Sequence, residues 1–260
     1  MSAEAPAEGE RIAKLIARAG VCSRRDAETL IAARRVAVDG MVLETPGVRV
    51  RPGQRVTVDG KPLPEVEPTR LFRYHKPKGV VTAARDPEGR ATIYDTLPEG
   101  LPRLMPVGRL DIASEGLLLL TNDGALKRRL ELPATGWLRR YRVRAFGEVD
   151  DRRLKGLAQG VTVDSVVYGP VEARLDRMQG DNAWLTISLR EGKNREVRRV
   201  LEHVGLRVNR LIRMAYGPFQ LGNLPKRSVE EVQAKVLREQ IGGLVELPPR
   251  PRHPARRGSG

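Results

Sequence analysis

The chain contains a single cysteine, Cys22, among its 260 residues, which excludes an intrachain disulfide and a cysteine-based zinc site. Histidine is also scarce, since only His75, His203 and His253 occur and they lie far apart in the sequence. This shortage of thiolate and imidazole ligands predicts a reducing compartment and no structural metal.

The sequence also lacks an apolar run long enough to span a bilayer. Its first ten residues, MSAEAPAEGE, have neither the basic start nor the apolar stretch of a signal peptide. We therefore expect a cytoplasmic protein.

Positive charge, by contrast, is abundant, because 47 Lys and Arg residues stand against 32 Asp and Glu, for a formal net charge of +15. Such a charge attracts polyanions such as nucleic acids. It also fits an ordinary protein whose composition prefers arginine. Charge alone therefore leaves nucleic-acid binding open.

Composition and turn patterns predict two domains between two flexible tails. The first ten residues are rich in Ala, Glu and Pro, the last seventeen are basic and proline-rich, and three prolines interrupt KPLPEVEPTR. The predicted segments are a disordered tail (1–10), a small domain (11–60), a linker (61–70), a larger domain (71–243) and a second disordered tail (244–260).

Local patterns in the small domain predict two helices followed by hairpins. Apolar residues recur at helical spacing over residues 11–18, and Ser23 with Asp26 forms the capping-box pattern of a second helix. The pairs Asp39-Gly40 and Asp59-Gly60 are typical of tight turns between strands, because they accept positive φ values.

The larger domain alternates strand and helix patterns, which predicts an α+β fold built on a mostly antiparallel sheet. We expect a DPEG turn at residues 86–89. The predicted strands are 71–74, 141–146, 171–175, 183–189 and 208–214, and residues 117–120 form an apolar run. The predicted helices are 150–159, 194–204 and 228–240.

One acidic residue, Asp111, lies after a Gly-Arg-Leu turn and before a run of four leucines that must be core. A carboxylate held against an apolar wall is a candidate for catalysis. Loop aspartates more commonly cap a turn or short helix, so the residues alone favour that simpler role.

Two further residues are candidates for the same site. Arg198 falls at the border between the apolar and basic faces of its predicted helix, where it either reaches into a cleft and pairs with a buried carboxylate or lies on a solvated face. Tyr141 begins the alternating strand YRVRAF, and either packs in the core or stacks on an extruded base. The pattern does not choose between these roles.

Several motifs in order resemble the RsuA-type RNA pseudouridine synthases, from about residue 11 to residue 240. IAKLIARAGVCSRRDAETLIAARRVAVDG resembles their S4-like RNA-binding domain. HKPKGVV, DPEGRATIYDTLP, GRLDIASEGLLLLTNDG, RRYRVRAFG and EGKNREVRRVLEHVGLRVNRLIR resemble successive motifs of the synthase domain. The resemblance implies a pseudouridine synthase fold in which the small S4-like α/β domain precedes the catalytic domain.

The resemblance also implies residue roles. Asp111 takes the place of the catalytic aspartate, Tyr141 that of the active-site tyrosine, and Arg198 that of the basic residue that pairs with the aspartate. Ser114 stands where the family more often has threonine, which keeps a hydroxyl group. The RNA-binding residues we expect are Arg18, Arg24, Arg25, Arg34, Arg35, Arg109, Lys193, Arg195 and Arg199.

The implied reaction converts uridine to pseudouridine and involves no redox change, so we expect no cofactor. The NREVR motif favours 23S rRNA of the large subunit as the substrate. We also expect a monomer with no obligate protein partner. The alternatives are a synthase acting on 16S rRNA or tRNA, and a non-catalytic ribosome-assembly factor that binds rRNA and forms no product.

Overall fold

A computed structural model describes residues 9–243 of the chain. The predicted tail 244–260 and residues 1–8 of the other predicted tail lie outside this range. The described chain divides into two units, one of residues 9–69 with 234–243 and one of residues 70–233. Residues 234–243, which the sequence assigned to the larger domain, are therefore grouped with the N-terminal unit.

The N-terminal unit begins with two short helices. These are α1 (Ile12–Arg18) and α2 (Arg24–Ala32). Ser23 caps α2 by accepting a hydrogen bond from the Asp26 backbone N at 3.1 Å, and the Asp26 carboxylate accepts one from the Ser23 backbone N. The predicted capping box is thus confirmed, and Ile12, Ile16 and Ile31 of the two helices are fully buried in one apolar cluster.

Six short strands complete this part of the unit. They are β1 (Glu10–Arg11), β2 (Val36–Val38), β3 (Met41–Val42), β4 (Arg49–Val50), β5 (Val56–Val58) and β6 (Lys61–Pro62). Positive φ values at Asp39 and Asp59, each followed by glycine, make the two predicted tight turns.

Two sequence expectations are wrong here. Glu10, predicted to lie in a disordered tail, pairs with Val50, and its carboxylate binds Lys14 at 3.0 Å and Arg18 at 2.7 Å. Lys61 and Pro62, predicted to be linker, form the edge strand β6 against β5. Proline is tolerated there because an edge strand does not need every backbone donor.

The second unit is built on a nine-stranded sheet in the order β13-β14-β10-β15-β9-β7-β17, with β8 beside β9 and β16 beside β15. Its strands are β7 (Leu71–Lys76), β8 (Met105–Val107), β9 (Glu115–Thr121), β10 (Arg139–Phe146), β13 (Val171–Gln179), β14 (Asn182–Leu189), β15 (Arg207–Tyr216), β16 (Phe219–Gln220) and β17 (Val229–Glu231). A separate hairpin joins β11 (Val161–Val163) to β12 (Val166–Tyr168).

Helices cover part of this sheet. They are α3 (Gly124–Glu131), α4 (Asp151–Gly156) and α5 (Glu196–His203). The last helix of the described chain, α6 (Ala234–Ile241), belongs to the N-terminal unit. The predicted helix 228–240 is wrong in its first part, because Val229–Glu231 forms β17 and pairs with β7.

Two antiparallel halves of the sheet meet where β9 pairs with β15 in parallel, through Ile212 opposite Glu115 and Arg213 opposite Gly116. Gly116 has φ +108, and a Cβ atom there would lie 2.6 Å from the Arg213 backbone N. Only glycine allows this close approach without strain. The junction brings the loop before β9 next to β15 and α5.

Candidate active site

A cavity of about 390 Å³ lies at the junction of the two sheet halves. Its walls include the loop 108–114, Tyr141 of β10, Arg213 of β15 and the turn before α5. Asp111 and Tyr141, which lie 30 positions apart in sequence, both line it. The volume is within the range of pockets that hold small ligands or a single nucleotide base.

Lys76 holds the loop that carries Asp111. Its Nζ atom donates hydrogen bonds to the carbonyl oxygens of Pro77, Asp111 and Ser114 at 3.1, 3.2 and 3.0 Å. The side chain is fully buried, with 0% exposure. An ammonium group that serves three carbonyls fixes the backbone on both sides of the Asp111 side chain.

Other distant residues fix the rest of this loop. The Thr82 hydroxyl donates to the Leu110 carbonyl at 2.8 Å, and the Gly79 backbone N donates to the Ile112 carbonyl at 2.7 Å. The Glu131 carboxylate of α3 accepts from the Gly108 backbone N at 2.6 Å. Since these bonds tie the loop to several distant residues, the backbone position of Asp111 is set before any ligand binds.

Arg198 of α5 binds the same loop. The side chain is buried, with 7% exposure, and its Nη2 and Nη1 atoms donate to the carbonyls of Ala113 and Val208, each at 3.0 Å. It therefore does not lie on a solvated face. Among residues 9–243 it forms no ion pair with Asp111 within 4.0 Å, so the suggested pairing is replaced in this structure by contacts with the backbone.

The surroundings of Asp111 are strongly cationic. Burial lowers the pKa of Lys76 to about 8, while the Asp111 carboxylate opposes that shift and Arg213 adds to it. Burial also lowers the pKa of Arg198, and Arg195 adds to that shift while Asp111 opposes it. The loop that carries Asp111 is therefore bordered by the buried positive charges of Lys76 and Arg198.

Arg213 forms part of the cavity wall. It has 4% exposure, its Nε atom donates to the Leu117 carbonyl at 2.7 Å, and its guanidinium lies over the Tyr216 ring at 5.1 Å. Its backbone is fixed by the junction at Gly116. Sequence reasoning assigned this arginine only to a strand.

Tyr141 points inward from β10. Its side chain has 8% exposure, belongs to the main apolar cluster and borders the cavity, opposite Ile187 of β14. The two sequence interpretations, core packing and contact with a base, are therefore compatible, because the residue belongs to the apolar cluster and also lines the cavity.

The predicted RNA-binding residues of the larger domain fall into two groups. Arg109, Lys193 and Arg195 line the cavity and are exposed, whereas Arg199 is half-buried on α5 and does not line it. Lys193 is already bound to the Glu191 carboxylate at 2.6 Å. Arg195 has φ 51, a left-handed backbone conformation that is unusual for a side chain of its size.

The predicted RNA-binding arginines of the N-terminal unit also differ from one another. Arg18, Arg34 and Arg35 are bound to carboxylates, with N–O distances of 2.7, 2.8 and 2.7 Å. Within the described chain the exposed guanidinium groups of Arg24 and Arg25 have no carboxylate within 4.0 Å. The second pair is therefore the more available for phosphates.

Sequence reasoning missed Lys76, Glu131 and the buried acid Glu196. Burial, together with the neighbouring Glu191 carboxyl, raises the pKa of Glu196 to about 7. The motif HKPKGVV contains Lys76, but a lysine next to a proline gives no indication of burial. No group of three or more His, Cys, Asp or Glu residues suited to a metal ion occurs in the stretch 9–243.

Within those same residues, no helix is both long and apolar enough to cross a membrane.

Models of protein families match most of the chain. The model described as RNA pseudouridylate synthase matches residues 70–203, and the S4 domain model matches residues 10–56.

Individual proteins are similar over nearly the whole chain. An uncharacterised RNA pseudouridine synthase of Rickettsia conorii is 44% identical over 227 residues, which cover 87% of this chain and 98% of that protein. The ribosomal large subunit pseudouridine synthase B of Haemophilus influenzae is 43% identical over 247 residues, or 91% of this chain and 69% of that protein.

A solved structure, a crystal structure of pseudouridylate synthase, matches with a TM-score of 0.61 at 24% identity and covers 90% of this chain and 100% of that one. This likeness concerns the fold alone. Together with the two matching models, it confirms the predicted order of an S4 domain followed by an α+β synthase domain.

Proposed function

We propose that this chain, which belongs to the RNA pseudouridylate synthase family and is an RNA pseudouridine synthase, acts on 23S rRNA through Asp111. The rRNA assignment is supported by the relative from Haemophilus influenzae, whose name specifies the large ribosomal subunit. In a bacterium, such as the source of this relative, an enzyme of this kind would work in the cytoplasm, where rRNA is made.

The observation that carries the catalytic assignment is the way the Asp111 loop is held. Lys76 and Arg198, from two distant segments, donate to the carbonyls of Asp111, Ala113 and Ser114 at 3.0 to 3.2 Å. A simple turn cap does not require two buried cations to be directed at its own backbone. Fixed geometry beside a cavity is what a reacting carboxylate requires.

The reaction breaks the N1–C1′ bond of uridine, turns the uracil and joins C5 to C1′. Asp111 either attacks C1′ as a nucleophile or removes the C2′ proton. Both routes need the carboxylate of Asp111 in its ionised form. The proton lost from C5 balances the one gained at N1, so no net oxidation occurs.

Tyr141 is proposed to receive the flipped base. The uridine must leave its stack before the uracil can turn, and an aromatic contact worth about 1 to 3 kcal/mol offsets part of that cost. Tyr141 is also a candidate base for the C5 proton. Tyr141→Phe separates the roles, because an unchanged single-turnover rate would eliminate proton transfer and leave the stacking contact.

The N-terminal S4 domain is proposed to hold rRNA by its backbone, chiefly through Arg24 and Arg25, which have no carboxylate partner among the described residues. Arg109 and Arg195 at the cavity would bind the phosphates next to the target nucleotide. Contacts of this kind give affinity and orientation rather than sequence reading, so affinity should fall steeply with salt.

The deciding experiment maps pseudouridines in rRNA and tRNA by carbodiimide primer extension in cells with the wild-type gene, without it, or with only Asp111→Asn. We expect one large-subunit signal to disappear in both altered strains. Asp164→Asn, an exposed aspartate in the β11–β12 turn, is the matched control and should keep the signal. Loss of a 16S or tRNA signal would mean that this other RNA is the substrate. An unchanged map would refute the assignment of Asp111 and of 23S rRNA.

A further inference from the structure

One face of the larger sheet carries a row of arginines that the proposed chemistry does not use. On β10, Tyr141 and Val143 point into the core, while Arg140, Arg142 and Arg144 alternate with them and are exposed. Alternate side chains of a strand point to opposite faces. The three arginines therefore lie on the face of the sheet opposite the side chain of Tyr141.

Neighbouring strands extend this basic face. Arg142 lies opposite Thr186 of β14, which lies opposite Arg174 of β13, and Arg144 is aligned in the same way with Arg177 through Trp184. On the other side of β10, Phe146 pairs with Arg207 of β15. We call this surface, formed by Arg140, Arg142, Arg144, Arg174, Arg177 and Arg207, the arginine face.

Aromatic rings hold several of these guanidinium groups in place. Arg142 and Arg177 lie over the Trp184 ring at 4.7 and 5.9 Å, and Arg207 lies over the Phe146 ring at 5.2 Å. Stacking fixes the long side chains while leaving their donors free. The entropy lost when such an arginine binds a ligand is correspondingly smaller.

Few acidic groups neutralise the arginine face. Arg174 pairs with Asp176 at 3.1 Å, and Glu172 is exposed beside it. In the described part of the chain, no carboxylate lies within 4.0 Å of the guanidinium groups of Arg140, Arg142, Arg144, Arg177 and Arg207. The face therefore presents several unneutralised charges at a spacing of about 7 Å along β10, two residues per step.

We propose that the arginine face is a second RNA-binding surface, which grips the phosphate backbone of an rRNA segment separate from the one whose uridine enters the cavity. Guanidinium groups held over aromatic rings match phosphate oxygens in geometry and charge. The surface reads no bases, so it adds affinity rather than site choice. The assignment to rRNA rests on the proposed function.

The test compares Arg142→Gln/Arg144→Gln with Arg128→Gln/Arg152→Gln, a control that removes two exposed arginines from α3 and α4. Binding to a transcript of large-subunit rRNA is measured over a range of salt concentrations. The first variant should bind about tenfold more weakly than wild type, and its salt dependence should lose about 0.7 to 0.9 units of slope per phosphate contact. The control should stay within about twofold of wild type.

A single-turnover rate at saturating RNA completes the test, and it should be unchanged in the first variant. Binding equal to that of the control would overturn the proposal and leave an acidic protein as the occupant. Weaker binding with a lower saturating rate would also overturn it, because the face would then belong to the cavity. A wild-type chain that binds RNA but forms no pseudouridine would refute the proposed function alone.

Discussion

Replacing Lys76 by methionine should damage the active site more than the fold. The substitution keeps a flexible chain of similar length but removes the donor shared by the carbonyls of Pro77, Asp111 and Ser114. Without it these buried acceptors have no ammonium partner, and the loop must shift to find others. Asp111 would move with it.

The magnitude follows from two opposing effects. The carbonyls of Pro77 and Ser114 would be left without a donor at about 1 to 3 kcal/mol each, whereas the Asp111 carbonyl keeps its bond from the Ser114 backbone N and loses only about 1 kcal/mol, for a total of roughly 5 kcal/mol. Burial of the ammonium, which brings the pKa of Lys76 from 10.5 to about 8, costs about 3 kcal/mol that the variant recovers. The expected net loss is therefore about 2 kcal/mol of unfolding free energy.

The rate should fall much further than the stability. A displacement of a reacting group by about 1 Å can cost a factor of about 100 in rate, so we expect a loss of that order in single-turnover pseudouridine formation. RNA affinity should change little, since Lys76 is fully buried and cannot touch a phosphate.

Lys78→Met is the matched control, because Lys78 lies two positions on, is exposed, and carries the same charge. Urea unfolding and single-turnover assays on both variants decide the matter. The unfolding free energy of the control should stay within about 0.5 kcal/mol of wild type, and its single-turnover rate should be unchanged. Wild-type rate in Lys76→Met would refute the reasoning that this lysine positions Asp111.

Three other substitutions test separate features. Glu196→Gln should stabilise the protein by about 2 kcal/mol at about pH 8 but little at about pH 4.5. The reason is that the folded-state pKa of about 7 makes ionisation of the buried Glu196 beside Glu191 costly as the pH rises between those values. Equal shifts of the urea midpoint at both pH values would contradict this. Gly116→Ala should destabilise by about 3 kcal/mol or more through its clash with the Arg213 backbone, so a soluble variant with a wild-type thermal midpoint would be unexpected. Ser23→Ala should cost about 1 kcal/mol in chemical denaturation by removing a helix cap, without altering the rate at saturating RNA.

Features set by a few neighbouring residues could be predicted from the sequence. The cap at Ser23 and the turns at Asp39 and Asp59 follow from local backbone chemistry, and each is found where the sequence indicated. The helix 228–240 failed at its start because residues 229–231 pair with β7, a strand more than 150 positions earlier. Such a partner leaves no local pattern.

The candidate site shows the same division. Asp111, Tyr141 and Arg198 could be identified as residues of interest from motifs, but the burial of Arg198 depends on Ala113, 85 positions away. The burial of Lys76 could not be predicted, because two of the carbonyls that it binds, those of Asp111 and Ser114, lie more than 30 positions away in sequence. Its burial results from carbonyls that the sheet junction brings together.

The junction at Gly116 also has a kinetic consequence. Apart from β7 with β17, the antiparallel pairs within each half join residues closer in sequence than the parallel contact between β9 and β15, whose paired residues lie 97 positions apart. Closing a long loop is entropically slow compared with forming hairpins. In refolding from denaturant we therefore expect the circular dichroism of the β-strands to recover first. Pseudouridine formation should return only in the last phase, when the two halves dock and the cavity first exists.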